Sequence, residues 1–352
     1  MQQQKKLTRI LSLDGGGIRG ILPGQILVSL EKKLQQKTNN SNARLAHYFD
    51  FIAGTSTGGI LTCAYLCPNE EDATMPKFTA QEAVNLYLLK GGNIFQTNVF
   101  QKIKSVSGLS DEKYSAKDLE ESLHTYFGSK RLSQLLKPCI ITSYNIFSRT
   151  THFFTQHDAV QKEGYDYYLH EVARATAAAP TYFEPALVHS MSGVSYPLID
   201  GGIFANNPGM VAYAEARQLF DSPAKPSGKV TAADMFMLSI GTGTVKKPYD
   251  YKKAKNWGAI GWASPIIDMM MSGVSETVDF QLGKLFDADG AAQNYIRLTP
   301  ELGTAHSEMD NATPENLLAL KEAGIAAAEK FDDELNVVAD VLIAGESNRS
   351  LA

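Results

Sequence analysis

Apolar and polar positions alternate along the chain in two different periods, one strand-like and one helical. Leu7 to Leu13 (LTRILSL) is a short β-like run that ends at Asp14 and three glycines. From Ile18 to Leu34, apolar side chains recur at 22, 26, 27, 30 and 34, the period of a helix. A polar loop follows at 37–44. His47 to Ala53 (HYFDFIA) predicts a second strand, closed by the Gly-rich turn GTSTGG and followed by an apolar helix from Ile60 to Leu66. Strand, glycine turn and helix thus occur twice in succession. That repetition predicts an α/β fold, with a mostly parallel sheet covered by helices on both faces.

The same reading continues downstream. Helices are expected over 79–90, 114–127 (with Ser115 as N-cap and Asp118 in the first turn), 167–178, 258–286 and 313–330. Strands are expected over 138–145, 151–155, 196–199 and 235–240. Residues 68–78 read as an acidic loop. Residues 91–113 have no clear period and are a candidate lid. With no repeat and no linker, the expectation is one domain over 1–352, with a motif-bearing core at about 8–212 and a C-terminal wrap at about 213–352.

Composition excludes several classes. Apolar residues make up 44% of the 352 and charged residues 20%, so the chain is globular rather than disordered or fibrous. A net charge of -5 argues against a general binder of nucleic acid or anionic surfaces, while leaving room for a local basic patch. Cys63, Cys67 and Cys139 are too few for a disulfide scaffold and lack partners for a zinc site, so no metal is expected. There is no signal-like apolar segment and no run of about 18 apolar residues. The expected location is cytoplasmic, with any membrane contact peripheral.

The glycines matter through their placement. They cluster at 15–17, 58–59, 201–202 and 241/243, each just after a predicted strand. Ligands of open α/β sheets bind at the carboxyl ends of strands, and glycine lets backbone N–H groups approach them. Gly54-Thr-Ser56-Thr-Gly58 fits G-x-S-x-G between a strand and a helix, the context of a nucleophile elbow. Residues 15–20 match the dinucleotide pattern G-x-G-x-x-G, but the second strand ending in an acid about 20 residues on is missing, because 38–44 is a polar loop. An oxyanion hole formed by Gly16 and Gly17 is the better reading, with Arg19 beside it to orient the loop, pair with a carboxylate or meet an anionic head group. For the base, Asp200, at a strand end before Gly201-Gly202, competes with the loop histidine His306, the one histidine that follows it.

Taken together, Asp14-Gly-Gly-Gly-Ile-Arg-Gly20, Gly54-x-Ser56-x-Gly58 and Asp200-Gly201-Gly202 stand in the order of the patatin-like phospholipase motifs. The segments 43–59, 175–183, 238–244, 257–258 and 293–297 also resemble plant patatins, so the likeness runs to about residue 325. The stretch Gly202 to Pro208 looks more like bacterial members. The resemblance implies a three-layer α/β/α sandwich and a lipid acyl hydrolase without a cofactor. Ser56 would be the nucleophile and Asp200 the general base. Gly16 and Gly17 would be the main oxyanion donors, with Gly15 and Arg19 in the same loop, while Gly54, Gly58, Gly201 and Gly202 would support the motifs. A glycerolipid, phospholipid or lysophospholipid, is the implied substrate. The alternative is the same chemistry in a membrane-degrading effector of anti-phage defence, with a cyclic nucleotide as candidate activator. A homo-oligomer is the other candidate partner, and no nucleic acid is expected. In 258–286, Ile267, Met271, Val274, Val278, Leu282 and Leu285 share one helical face, which suits either a core helix or a Met-rich wall of an acyl channel.

Overall fold

The computed structural model describes residues 7–94, 116–221, 228–244 and 248–347. Eight strands form one sheet: β1 (Thr8–Leu13), β2 (Phe51–Thr55), β3 (Cys139–Asn145), β4 (Thr150–Thr155), β5 (Ala186–His189), β6 (Ser195–Asp200), β7 (Met235–Ile240) and β8 (Tyr295–Leu298). The strands β8, β7, β1, β2 and β3 lie side by side and are parallel. The remaining three run antiparallel to their neighbours.

Among the described residues, the helices of eight residues or more are α1 (Ile21–Thr38), α2 (Thr57–Leu66), α3 (Ala80–Ile94), α4 (Lys117–Phe127), α5 (Leu169–Thr176), α6 (Gly209–Leu219), α7 (Ala259–Ala288), α8 (Pro314–Lys330) and α9 (Asp332–Ser347). Alternate strand residues feed two separate cores, as the two-residue repeat of a strand requires. Leu11, Leu13 and Ile52 join one core with α1–α5, α8 and α9. Ile10, Phe51 and Ala53 join the other with α6 and α7. This is the expected three-layer α/β/α arrangement. The C-terminal third contributes β7 and β8 to the sheet and packs α8 and α9 against α1.

Local differences have physical causes. The run HYFDFIA does not form one strand, because Leu45–Tyr48 is a helical turn and β2 starts at Phe51. Between them, Asp50 takes the Arg9 guanidinium at 3.0 Å, a buried pair that fixes the chain before the strand. β5, β8, α6 and α9 form where no element was expected. Ser115 and residues 95–113 of the lid candidate lie outside the described residues; the preceding 91–94 complete α3.

Candidate active site

The register of β3 brings the two principal residues together. β4 occupies one edge of β3 over 140–145. The other edge is shared: β2 pairs with 139–142, and β6, running the opposite way, pairs with 143–145. Thr55 is opposite Thr142 and Asp200 is opposite Ser143, so the carboxyl ends of β2 and β6 meet end to end. Sequence reasoning placed all four glycine clusters at the carboxyl ends of strands on one edge of the sheet. β6 carries its cluster there while running antiparallel to β3, and that is why its last residue abuts the elbow.

Ser56 has φ 54° and ψ −121°, a conformation that a side chain adopts only under constraint. Its N–H donates to Thr176 Oγ1 at 2.8 Å, and that hydroxyl donates in turn to the Thr142 carbonyl at 2.7 Å. The residue stands at the N-terminus of α2, where the helix dipole favours negative charge. Gly58 is required by proximity, since a Cβ there would meet the carbonyls of Leu13 and Asp14. Gly54 packs against the Gly58 backbone and Gly201 against Thr142.

Asp200 is buried, and one of its oxygens, Oδ1, accepts the Gly202 N–H at 2.7 Å. The other, Oδ2, is buried and has no partner of standard hydrogen-bond geometry among the described residues. Burial pushes the carboxyl up to about 7, against the opposing influence of the nearby Ser56 hydroxyl and the Gly202 N–H. Contacts between a candidate nucleophile and a candidate base are commonly long or misaligned in a site without substrate. Both residues line an apolar cavity with Ile60, Leu86, Leu123, Phe183, Met271 and others. None of the seven histidines lines it. His306 is an exposed loop residue, 3.8 Å from Glu308.

The glycine loop after β1 sits beside the elbow. The Gly15 N–H is committed to the Asn206 carbonyl at 2.9 Å, and the Gly15 carbonyl accepts the Thr242 hydroxyl at 2.7 Å. The N–H groups of Gly16 and Gly17 make no hydrogen bond among the described residues, which leaves them as donors. Gly17 has φ +58°, and a Cβ there would meet the Met309 carbonyl, so the turn needs glycine.

The model of the family described as patatin-like phospholipase matches residues 11–213. Patatin-like protein 2 of Arabidopsis thaliana is 36% identical over 336 residues, which cover 90% of this chain and 82% of the relative. The chain belongs to the patatin-like phospholipase family. It is accordingly a lipid ester hydrolase by family. A second relative, Probable inactive patatin-3-Kuras 1 of Solanum tuberosum, is 34% identical over 94% of this chain and 89% of its own. Family membership therefore leaves the chemistry to be argued from the residues present. VipD from Legionella pneumophila has a TM-score of 0.39 at 14% identity, over 94% of this chain and 67% of that one.

The patatin-like loop rests on a residue to which sequence reasoning gave no role. Arg297, on β8, donates to both carboxylate oxygens of Asp14 at 2.8 and 2.5 Å and to Ser239 at 2.8 Å. Burial raises the Asp14 carboxyl and the guanidinium opposes that rise. No local pattern reveals a pair 283 positions apart. Thr176, Asn206 and Met309 were missed for the same reason. Arg19 is buried, and its Nε donates to the Gly16 carbonyl at 3.4 Å. It borders a polar cleft with Asp268, Ser275 and Arg297, separated from the apolar cavity by Met271. α7 packs on one side and borders the cavity on another: Val278, Leu282 and Phe286 lie in the core, while Met271 lines the cavity.

Proposed function

We propose that this chain cleaves acyl esters of glycerolipids, phospholipids or lysophospholipids, through a Ser56–Asp200 dyad and an acyl-enzyme. One observation carries the reading: a buried carboxyl whose acid form persists to about pH 7 abuts a constrained serine inside an apolar cavity. A base with that pKa takes and returns a proton near neutrality with little driving-force penalty.

In the first step Asp200 Oδ2 takes the Ser56 hydroxyl proton as Oγ attacks the ester carbonyl carbon. The oxyanion develops against the N–H groups of Gly16 and Gly17. The C–O bond to the glycerol oxygen breaks, and Asp200 returns its proton to that oxygen. Water then loses a proton to Asp200 and attacks the acyl-Ser56 carbonyl, releasing fatty acid as the proton returns to Ser56 Oγ. The acyl chain occupies the apolar cavity, and no histidine takes part.

Contact with lipid is proposed as peripheral and the location as cytoplasmic; among the described residues no helix is long and apolar enough to cross a membrane. The cyclic-nucleotide activator is not part of the proposal, and equal hydrolysis with and without a cyclic dinucleotide is expected. The test is mass spectrometry of the products from phosphatidylcholine. Wild type should release fatty acid and lysolipid, and Ser56→Ala neither; turnover retained in Ser56→Ala would overturn the proposal.

A further inference from the structure

Between β7 and β8 the chain reads Val245-Lys-Lys-Pro-Tyr-Asp-Tyr-Lys-Lys-Ala-Lys-Asn-Trp257, five lysines and three aromatic residues against one aspartate, in a protein of net charge -5. The short helix Tyr251–Ala254 lies in this segment and leads into α7. The Tyr249 ring meets Trp257 edge-on at 5.4 Å, and Trp257 meets Trp262 at 5.0 Å, so residues 249–257 fold back on the first turns of α7. Trp262, Ile266 and Met270 continue at four-residue spacing as one stripe of that helix, 39%, 46% and 45% exposed. Tyr251, at 79%, extends the patch.

The charges around the patch are unbalanced. Lys252, Lys253 and Lys255 are exposed and make no ion pair among the described residues. Two acids lie nearby, one in the segment and one on α7, and each accepts a hydrogen bond from a neutral donor. Asp250 accepts the Lys253 N–H at 3.0 Å as a helix cap, and Asp268 accepts the Tyr249 hydroxyl at 3.0 Å. The next residue after the stripe, Met271, turns inward and lines the cavity with Ser56 and Asp200. One helix thus carries the patch on one face and borders the cavity with another.

We propose that this surface docks the protein on an anionic lipid bilayer. Tyr and Trp are suited to the boundary between headgroups and acyl chains, and exposed lysines meet anionic headgroups. A second copy docking through this same patch would set lysine against lysine, so the basic charge selects an anionic surface over twofold self-pairing. Lipid leaving the bilayer would then reach the cavity across Met271, a direction of travel that rests on the acyl-hydrolase reading; the docking itself does not.

Sedimentation with vesicles of non-hydrolysable ether-linked phosphatidylcholine, alone or with 30% ether-linked phosphatidylglycerol, tests the docking. Wild type should partition at least tenfold more strongly onto the anionic vesicles, and less so as salt is added. At about fivefold per lysine, Lys252→Glu, Lys253→Glu and Lys255→Glu combined should weaken partitioning roughly a hundredfold or more. Trp262→Ser with Ile266→Ser should remove most of what remains. Hydrolysis of a soluble monomeric ester should stay within twofold of wild type in every variant, which also reports intact folding. Equal partitioning onto both vesicle types, or full binding by the triple variant, would overturn the proposal. So would a dimer that dissociates on Trp262→Ser in a protein that ignores vesicles. Vesicle binding without ester hydrolysis by wild type would instead refute the catalytic reading and leave the docking standing.

Discussion

Replacing Asp200 with Asn should abolish turnover and yet stabilise the fold, increasingly so toward alkaline pH. Burial raises this carboxyl from 3.8 to about 7. Between those values the folded chain retains a proton that the unfolded chain has released, so stability falls as pH rises. Below about pH 4 both states are protonated and the penalty is absent. It grows by about 1.4 kcal/mol per pH unit up to about 7 and is constant beyond, with a ceiling of about 4 kcal/mol. Asn keeps the shape, and its carbonyl still accepts the Gly202 N–H, so the variant mainly removes this penalty. Between pH 5 and 8 its advantage should widen by about 3 kcal/mol. Unfolding entropy of about 2.1 cal/mol/K per residue, taken over the 352 residues, converts that to a Tm difference growing by about 4 °C. Calorimetry of both proteins across this range is the assay. A Tm difference that is flat with pH, or that narrows as pH rises, would refute the claim that Asp200 ionises against its burial. The same titration governs catalysis: kcat/KM for a soluble ester should rise about tenfold per pH unit below 7 and level off above it.

Arg297→Met leaves Asp14 buried without its cation and should cost about 3–5 kcal/mol in urea unfolding, most of it recovered when Asp14→Asn is added. Thr176→Val removes the acceptor of the Ser56 N–H; it should cost about 1–3 kcal/mol and lower kcat more than it changes KM, as read by steady-state kinetics on a soluble ester. His306→Ala should leave kcat/KM within twofold, because the side chain is exposed and outside the cavity.

The three motifs could be read from the sequence because the chemistry at each forces small residues into a turn. Gly17 needs its positive φ, Gly58 sits where a Cβ would strike two carbonyls, and both leave a local mark. The parallel half of the sheet was legible for a similar reason, since β1 and β2 are buried runs each followed by a glycine turn and a helix. β5 and β8 are four-residue strands whose pairing depends on distant partners, so they leave little periodic signal. The same applies to the meeting of β2 and β6 along one edge of β3, which alone explains why Asp200 reaches Ser56. The Arg297–Asp14 pair and the Thr176 relay are tertiary contacts between segments that look ordinary by themselves. In HYFDFIA, aromatic and branched residues suggested a strand, and the Arg9–Asp50 pair overrode that propensity.

The central claim is that Ser56 is acylated with Asp200 as its base. Acid-quenched reaction with a chromogenic acyl ester, followed by peptide mass mapping, tests it directly. Wild type should carry the acyl group on Ser56, His306→Ala should carry it equally, and Asp200→Asn should acylate at least a hundredfold more slowly. An acyl group on another residue, or wild-type acylation in Asp200→Asn, would contradict the account.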